Sequence, residues 1–373
     1  MPRALLLSGP LGLGHEIPMR SFRDVLERSG WRVGTRDSME LLGSGANRAG
    51  RKVFDGLMTV PGVYDGLHFS VLRTGGRVAR MMDRAAALRA VPALRAELER
   101  DPADLVLSVF ATGALAAARL KKEAPGRRTV VYCPDVAAHK LWVHEGTDLF
   151  LVSSEAAAAS VRRFQPRAAI AVIPPPVRPA FYDAPSREAA RESLRVRRDA
   201  PCVLLMDSGW GFAPLARAAG RLADAGVRVL AVAGRNEATA RQLRELARAK
   251  QNITPFGFTS QIPALMAAAD LVVALPGAAT CAEARVVGRR LLLLDVMPGH
   301  GRDNLLHELE CGGAGACGPS AADIAAAALA MLDDPEAAAA PRTPRWEPAF
   351  VSALKQAGLE FEPRWEEACE PSS

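Results

Sequence analysis

The sequence predicts an α/β fold: two doubly wound domains facing a cleft. Three observations carry this. Short apolar runs without polar alternation, such as Cys202–Met206 and Leu271–Leu275, read as strands buried on both faces of a parallel sheet. Glycine- or proline-containing turns follow these runs, and segments with helical apolar spacing follow the turns. The stiff connector Pro174-Pro175-Pro176 with Pro179 divides a chain of 373 residues near its middle, which suits two domains at roughly 100–200 residues each. The expected division is 1–180, 181–345 and a helical tail with a frayed end over 346–373.

The elements follow in order. Residues 3–8 are a first strand, and the turn Gly9–Gly14 leads to His15. Phe22, Val25 and Leu26 give the segment Pro18–Gly30 helical spacing, and Trp31–Val33 is the second strand. Strands at 104–109, 128–133, 148–153 and 169–173 alternate with helices at 112–123 and 155–164, with a further helix at 91–100 before them. The second half repeats the theme: strands at 202–206, 227–233, 253–258, 271–275 and 291–294, and helices at 213–225, 237–250, 260–268, 304–309 and 321–333. The first glycine turn is not the dinucleotide fingerprint, because Gly9, Gly12 and Gly14 do not give G-x-G-x-x-G.

Net charge is +6, and it is uneven. Residues 1–183 hold 26 Lys+Arg against 18 Asp+Glu, leaving 21 against 23 for the remainder, so the first half is basic and the second slightly acidic. A basic half implies an anionic partner. Three Tyr and no aromatic RNA-binding motif exclude a stacking platform for single-stranded nucleic acid, so an anionic membrane surface is the expected partner. Residues 43–84 interleave Arg48, Arg51, Lys52, Arg73, Arg77, Arg80 and Arg84 with apolar side chains, as interfacial segments do, although a solvated helical face gives the same pattern. The six cysteines form no C-x-x-C pair, and no apolar stretch approaches a membrane span. A cytoplasmic protein, peripheral on the inner face of the cell membrane, is the expectation.

The stretch Asp270–Asn304 is the most informative. A strand at 271–275 breaks at Pro276-Gly277, a helix starts near Thr280 with Glu283 at capping-box spacing, and a second strand ends in the glycine loop Pro298–Gly301. Such a unit aims a helix N-terminus at a phosphate, and an ordinary capped βαβ unit has the same spacing.

The blocks together resemble a two-domain (GT-B) glycosyltransferase of family 28, closest to monogalactosyldiacylglycerol synthases and processive diacylglycerol glucosyltransferases. Gly12-Leu13-Gly14-His15 resembles the family's G-x-G-H. Pro134–Trp142 resembles T-D-x-x-x-H-x-x-W with proline for threonine, and Ile173–Phe181 resembles G-I-P-V-R-P-x-F. Gly234–Glu237 and Gly257–Thr259 match two further blocks, and Pro276–Glu283 resembles P-G-G-x-T-x-x-E. One block departs: the family's P-G-Q-E-x-x-N is Pro298-Gly299-His300-Gly301-Arg302-Asp303-Asn304 here, so the loop that touches the donor sugar in the family lacks its Gln and Glu.

The resemblance implies inverting transfer of a hexose from a UDP-sugar to a lipid hydroxyl. His15 is the expected base and Asp135 the second candidate, while His139 and Trp142 shape the acceptor side. The donor set is Ser208, Gly209, Arg235, Gly257, Phe258, Gly277, Thr280, Glu283, His300 and Asn304. Thr280 opens the helix under the diphosphate, Glu283 accepts from the ribose hydroxyls, and Gly257-Phe258 offer backbone groups to the uracil. No cofactor and no metal are expected, since no D-x-D stands at a strand end in the second half and the helix dipole with arginines would hold the leaving group. Two other readings share these residues: a transferase of the same fold with another lipid-linked or small-molecule acceptor, and a non-catalytic protein that binds a nucleotide or a lipid surface.

Overall fold

The structure is a computed structural model and describes residues 1–9, 13–43, 45, 63–121, 123–206, 214–334 and 341–361. The chain forms two compact units. The first takes Met1–Pro176, Pro298–His300 and Arg345–Ser373, the second Val177–Met297 and Gly301–Pro344.

The first unit holds six strands: β1 Arg3–Ser8, β2 Arg32–Asp37, β3 Leu105–Ser108, β4 Arg128–Cys133, β5 Leu149–Val152 and β6 Ile170–Val172. They form one parallel sheet in the order β2-β1-β3-β4-β5-β6. Leu5, Leu7 and Val106 face a cluster completed by Leu94, Leu98 and Leu120, while Val131, Cys133, Phe150 and Val152 pack with Trp142 and Val161. Apolar residues along the strands are thus buried by helices, as the unbroken runs implied.

The second unit also holds six: β7 Cys202–Met206, β8 Arg228–Val232, β9 Ile253–Phe256, β10 Leu271–Ala274, β11 Arg290–Leu294 and β12 Ala314–Cys317. Their order is β12-β11-β10-β7-β8-β9, again parallel throughout. Leu204 and Val272 face one core, Val203, Leu205 and Val273 the other. Two doubly wound sheets are the GT-B architecture.

Three elements differ from expectation. β12 reads AGAC, whose small residues carry almost no strand signal, and it forms by adding to the edge of β11. The helices expected at 91–100 and in the basic segment are one helix, Arg77–Arg100, with Pro92 inside it. The expected tail is a helix, Glu347–Gln356, that belongs to the first unit. It is fixed by aromatics: Phe350 stacks on Phe22 at 4.6 Å, Trp346 meets the same ring edge-on at 5.4 Å, and Trp31 stacks on Phe361 at 5.2 Å. The parts of the basic segment at 46–62 and the end from 362 lie outside the described residues.

Candidate active site

In a doubly wound sheet, ligands bind outside the carboxyl ends of the strands where the strand order reverses. In the first sheet that point is between β1 and β3. The loop after β1 leads into the helix Leu13–Arg28, which carries His15 in its first turn, and the residues after β3 are Val109 and Phe110. His15 Nδ1 lies 2.8 Å from the Val109 carbonyl oxygen. A carbonyl only accepts, so Nδ1 carries the proton and donates, leaving Nε2 of the neutral ring as a lone-pair base. Burial pushes the His15 pKa down, against the Asp135 charge and the Val109 carbonyl, and His300 adds to the lowering. Phe110 meets the ring edge-on at 5.0 Å and Trp142 lies 6.1 Å away.

Asp135, in the turn after β4, is half-buried and acts on its neighbours through charge: it raises the pKa of both His15 and His139. His139 and Trp142 lie 6.2 Å apart. Burial lowers His139 to about 4 against Asp135, with His68, His300 and His144 lowering it further. His139 Nδ1 and Trp142 Nε1 are buried with no hydrogen-bond partner among the described residues. Buried polar atoms are ordinarily paired, so two orphans beside His15 mark a place for a ligand's polar groups.

Sequence reasoning missed Tyr64 and His68. They sit on a short helix, Val63–Leu67, that runs into a π-turn, His68–Leu72. The Tyr64 hydroxyl lies 3.4 Å from His300 Nδ1, and the His68 ring is 6.1 Å from His139 and 6.5 Å from His300. Gly299 N donates to Asp65 Oδ1 at 2.6 Å. Gly299 has φ +63°, and a Cβ there would lie 2.4 Å from the Tyr64 ring, so the position needs glycine on both counts. His300 is the first residue of a helix, His300–Glu310, rather than part of an open loop. The only signal available in sequence was the histidine count: four of six histidines meet here, including His68 from a segment that matched no motif.

In the second sheet the order reverses between β7 and β10. The loop after β7, with Ser208 and Gly209, lies outside the described residues, as does Gly12. After β10 the helix is Ala278–Val287 with Gly277 as N-cap and no side-chain cap. This corrects the expected start: Thr280 is a residue within the first turn, and Glu283 is one turn further on, out of capping-box register. The unfilled cap leaves the first-turn amides of Ala278, Ala279 and Thr280 without intrahelical acceptors, which is what an anion site needs. Glu283 is buried and takes the guanidinium of Arg178, from Nη2 at 2.8 Å and Nε at 3.1 Å. Burial raises its pKa, and Arg178 opposes that by charge and hydrogen bonding. Arg178 was seen in the linker block but given no role.

At the ends of β8 and β9, the Arg235 guanidinium lies 4.9 Å from the Phe258 ring centroid, and Phe258 is 71% exposed. An exposed ring with a guanidinium over it offers a planar stacking partner. Gly257 comes beside the Gly234 carbonyl, 3.9 Å from where its Cβ would stand. Asn304 is buried, and its amide donates to the Pro276 carbonyl at 3.2 Å, tying the turn after β10 to the helix His300–Glu310. Gly301 is buried too, and a Cβ there would meet Met297 at 2.4 Å, so a glutamate cannot be restored at 301 without moving Met297.

Comparison with a family model falls mainly on the second unit. Residues 215–306 match the glycosyltransferase family 28 C-terminal domain. The chain is 29% identical over 185 residues to probable monogalactosyldiacylglycerol synthase 2 of Oryza sativa subsp. indica, covering 47% of this chain and 39% of that one. It is 24% identical over 206 residues to the processive diacylglycerol beta-glucosyltransferase of Bacillus pumilus, covering 54% of each. The aligned part therefore spans well under two thirds of these relatives. Among solved structures, MurG of Acinetobacter baumannii superposes with a TM-score of 0.58 at 13% identity, covering 95% of both chains. UGT2 of Phytolacca americana, complexed with UDP-2-fluoroglucose and pterostilbene, gives 0.60 at 11% identity, covering 96% of this chain and 94% of that one. The fold is thus GT-B, and residues 215–306, almost all of them in the second unit, match the glycosyltransferase family 28 C-terminal domain, in keeping with the family that the sequence blocks resemble.

Proposed function

We propose that the protein is an inverting glycosyltransferase that moves a hexose from a UDP-sugar to the hydroxyl of a lipid such as diacylglycerol. The observation that carries this reading is His15, held neutral by burial with Nδ1–H fixed on the Val109 carbonyl and Nε2 free to act as base. The acceptor hydroxyl gives its proton to Nε2 as its oxygen bonds the anomeric carbon. The bond from that carbon to the diphosphate breaks, and UDP leaves with the electron pair. The amides that open the helix Ala278–Val287 receive the developing charge. The orphan polar atoms of His139 and Trp142 orient the acceptor. UDP as donor is supported by solved structures of this fold that hold UDP, among them HepE of Anabaena, and the lipid acceptor by the names of the plant and Bacillus relatives.

The test is incubation with UDP-glucose, UDP-galactose and UDP-N-acetylglucosamine and diacylglycerol in micelles, with products weighed by mass spectrometry. A glycolipid is expected, with relaxed or shifted donor choice, because a site without the family's carboxylate has no buried acceptor for the wrong sugar to leave unpaired. No product with any donor, alongside retained UDP binding, contradicts the enzymatic reading in favour of a nucleotide-binding protein. Strict use of one donor contradicts relaxed choice.

Glu283 is assigned to the ribose hydroxyls, with Arg178 holding its carboxylate in place. Glu283→Ala is expected to weaken UDP by roughly 1–3 kcal/mol in calorimetry, since the hydroxyls lose their acceptor. The variant should also lose most of the preference for UDP over its 2′-deoxy analogue. An unchanged affinity and an unchanged ratio would remove Glu283 from the site.

The lipid substrate implies a membrane surface, and the helix Arg77–Arg100 has the chemistry for one. Val78, Met81, Met82 and Leu88 are exposed on it, at 52%, 67%, 42% and 79%, beside the exposed Arg77, Arg80, Arg84 and Arg89. Among the described residues no helix is long and apolar enough to cross a membrane, so the proposed attachment is peripheral, on the anionic inner leaflet. Vesicle sedimentation should show binding that rises with anionic lipid and falls with salt, each arginine contributing about 1 kcal/mol. Met81→Glu with Met82→Glu should weaken it strongly. Binding indifferent to lipid charge and to this double substitution would contradict the assignment.

A further inference from the structure

The second sheet carries a cavity at the edge opposite the donor loops. It has a volume of about 530 Å³, and its lining includes Arg187, Asp199, Asp270, Arg289, Arg290 and Asp334. Arg290 opens β11, and Asp270 immediately precedes β10. Pro201, also in the wall, immediately precedes β7. In a parallel sheet all these starts lie at one edge, while Arg235, Phe258 and Gly277 follow the ends of β8, β9 and β10 at the other. A five-residue strand separates the two edges by about 17 Å.

The floor of this cavity is already saturated. Asp270 Oδ1 takes Arg187 through Nη2 at 2.7 Å and Nε at 3.2 Å, and Oδ2 takes Arg191 Nη2 at 2.7 Å and the Cys202 amide at 2.8 Å. Arg191 is wholly buried and spends its remaining donors on the carbonyls of Ala268, Arg197, Arg198 and Ala200. Asp199 is forked by Arg197. Asp270 thus serves two guanidiniums and Asp199 a third, and neither hydrogen-bonds Arg289. Arg289 is half-buried, and its Nε is buried with no hydrogen-bond partner among the described residues. Burial depresses its pKa, Asp270 raises it, and the charges of Arg187, Arg342 and Arg191 depress it further. Arg342 reaches over the adjacent Gly288. A desolvated, unpaired cation among like charges is costly, and a multiply charged anion relieves both costs together.

We propose that this cavity is a second ligand site, separate from the donor site, that binds the phosphoryl group of a small phosphorylated compound. The guanidinium of Arg289 takes the phosphoryl oxygens as a fork, with Arg187 and Arg342 completing the charge. The volume exceeds that of a phosphate ion and leaves room for an organic part.

The test is calorimetric titration of the full chain with inorganic phosphate and with glycerol 3-phosphate. Both are expected to bind saturably at one site, the ester no more weakly than the ion. Arg289→Gln should weaken both at least tenfold with an equal or higher melting midpoint, because it removes a cation that the fold leaves unpaired. Ala200→Glu, which sets a carboxylate into the wall, should do the same. UDP affinity should be unaffected by either substitution and by saturating phosphate. Absence of saturable binding, or equal affinity in both variants, would overturn the site. Phosphate binding without glycerol 3-phosphate binding would contradict the ester class, and phosphate that displaces UDP would assign the anion to the donor loops.

Discussion

His15→Ala should lower kcat by on the order of 10²–10⁴ while leaving UDP affinity nearly intact. The direction follows from the tautomer. Nδ1–H is committed to Val109, so the only basic atom offered by the ring is Nε2, and alanine removes it. The uridine and diphosphate are assigned to residues of the second unit and the base to the first, so binding and turnover should separate. The pH profile gives a second readout. The base is needed in its neutral form, and burial lowers its pKa below the ordinary 6.5. The acid limb of kcat/KM should therefore lie below pH 6.5, with full activity kept on the alkaline side of it. His15→Gln keeps a donor for the Val109 carbonyl but supplies no base, and should be as slow as alanine. Normal turnover in either variant would return His15 to a structural role and leave Asp135 as the base.

The first unit should lose stability between pH 6.5 and pH 4, before most carboxylates titrate. His139 and His144 are both buried, and burial lowers each to about 4. A group with a lowered folded pKa binds its proton more readily in the unfolded chain, so acidification from 6.5 to 4 favours unfolding. Each histidine contributes about 3 kcal/mol over that window at 1.36 kcal/mol per pH unit. Asp83 works the other way: burial raises it to about 6, so it takes up its proton in the folded state first and restores about 3 kcal/mol as pH falls toward 3.8. Asp83 Oδ2 lies 3.8 Å from His144 Nδ1, so the two titrate as a pair, and the net is a loss smaller than the histidines alone would give. Urea midpoints at pH 7 and pH 4.5 measure it. His144→Phe keeps the buried ring but cannot be protonated, so the drop should shrink by roughly half or more. A flat midpoint across this window would show that these histidines are reached by water.

Most of the fold was legible because buried parallel strands announce themselves as unbroken apolar runs. The bounds of β1, β4 and β7 agree residue for residue, β2 runs four residues further than expected, and the other expected strands differ by one or two residues at an end. β12 was illegible because Ala and Gly pair as a strand only when an edge is offered, and the last helix, though expected, could not be placed in the first unit because its proline-rich approach hides the packing of Trp346 and Phe350 on Phe22. The placement of the candidate residues was legible where a single block holds them: His15 at the first turn, Asp135 to Trp142 after β4, Arg235 and Phe258 after β8 and β9. It was not legible where partners come from distant segments. Glu283 read as a cap because capping spacing is local, whereas its partner Arg178 stands 105 positions away. Tyr64 meets His300 across 236 positions, from a segment read only for its charge.

The configuration of the new glycosidic bond tests the central claim most directly. The sugar in UDP-glucose and UDP-galactose is α-linked, and a single displacement assisted by one base inverts it. Proton NMR of the purified glycolipid should show the anomeric coupling of a β-glycoside, formed by the wild type and lost together with turnover in His15→Ala. An α-glycoside, or product formed equally well without the imidazole, would contradict single displacement by His15.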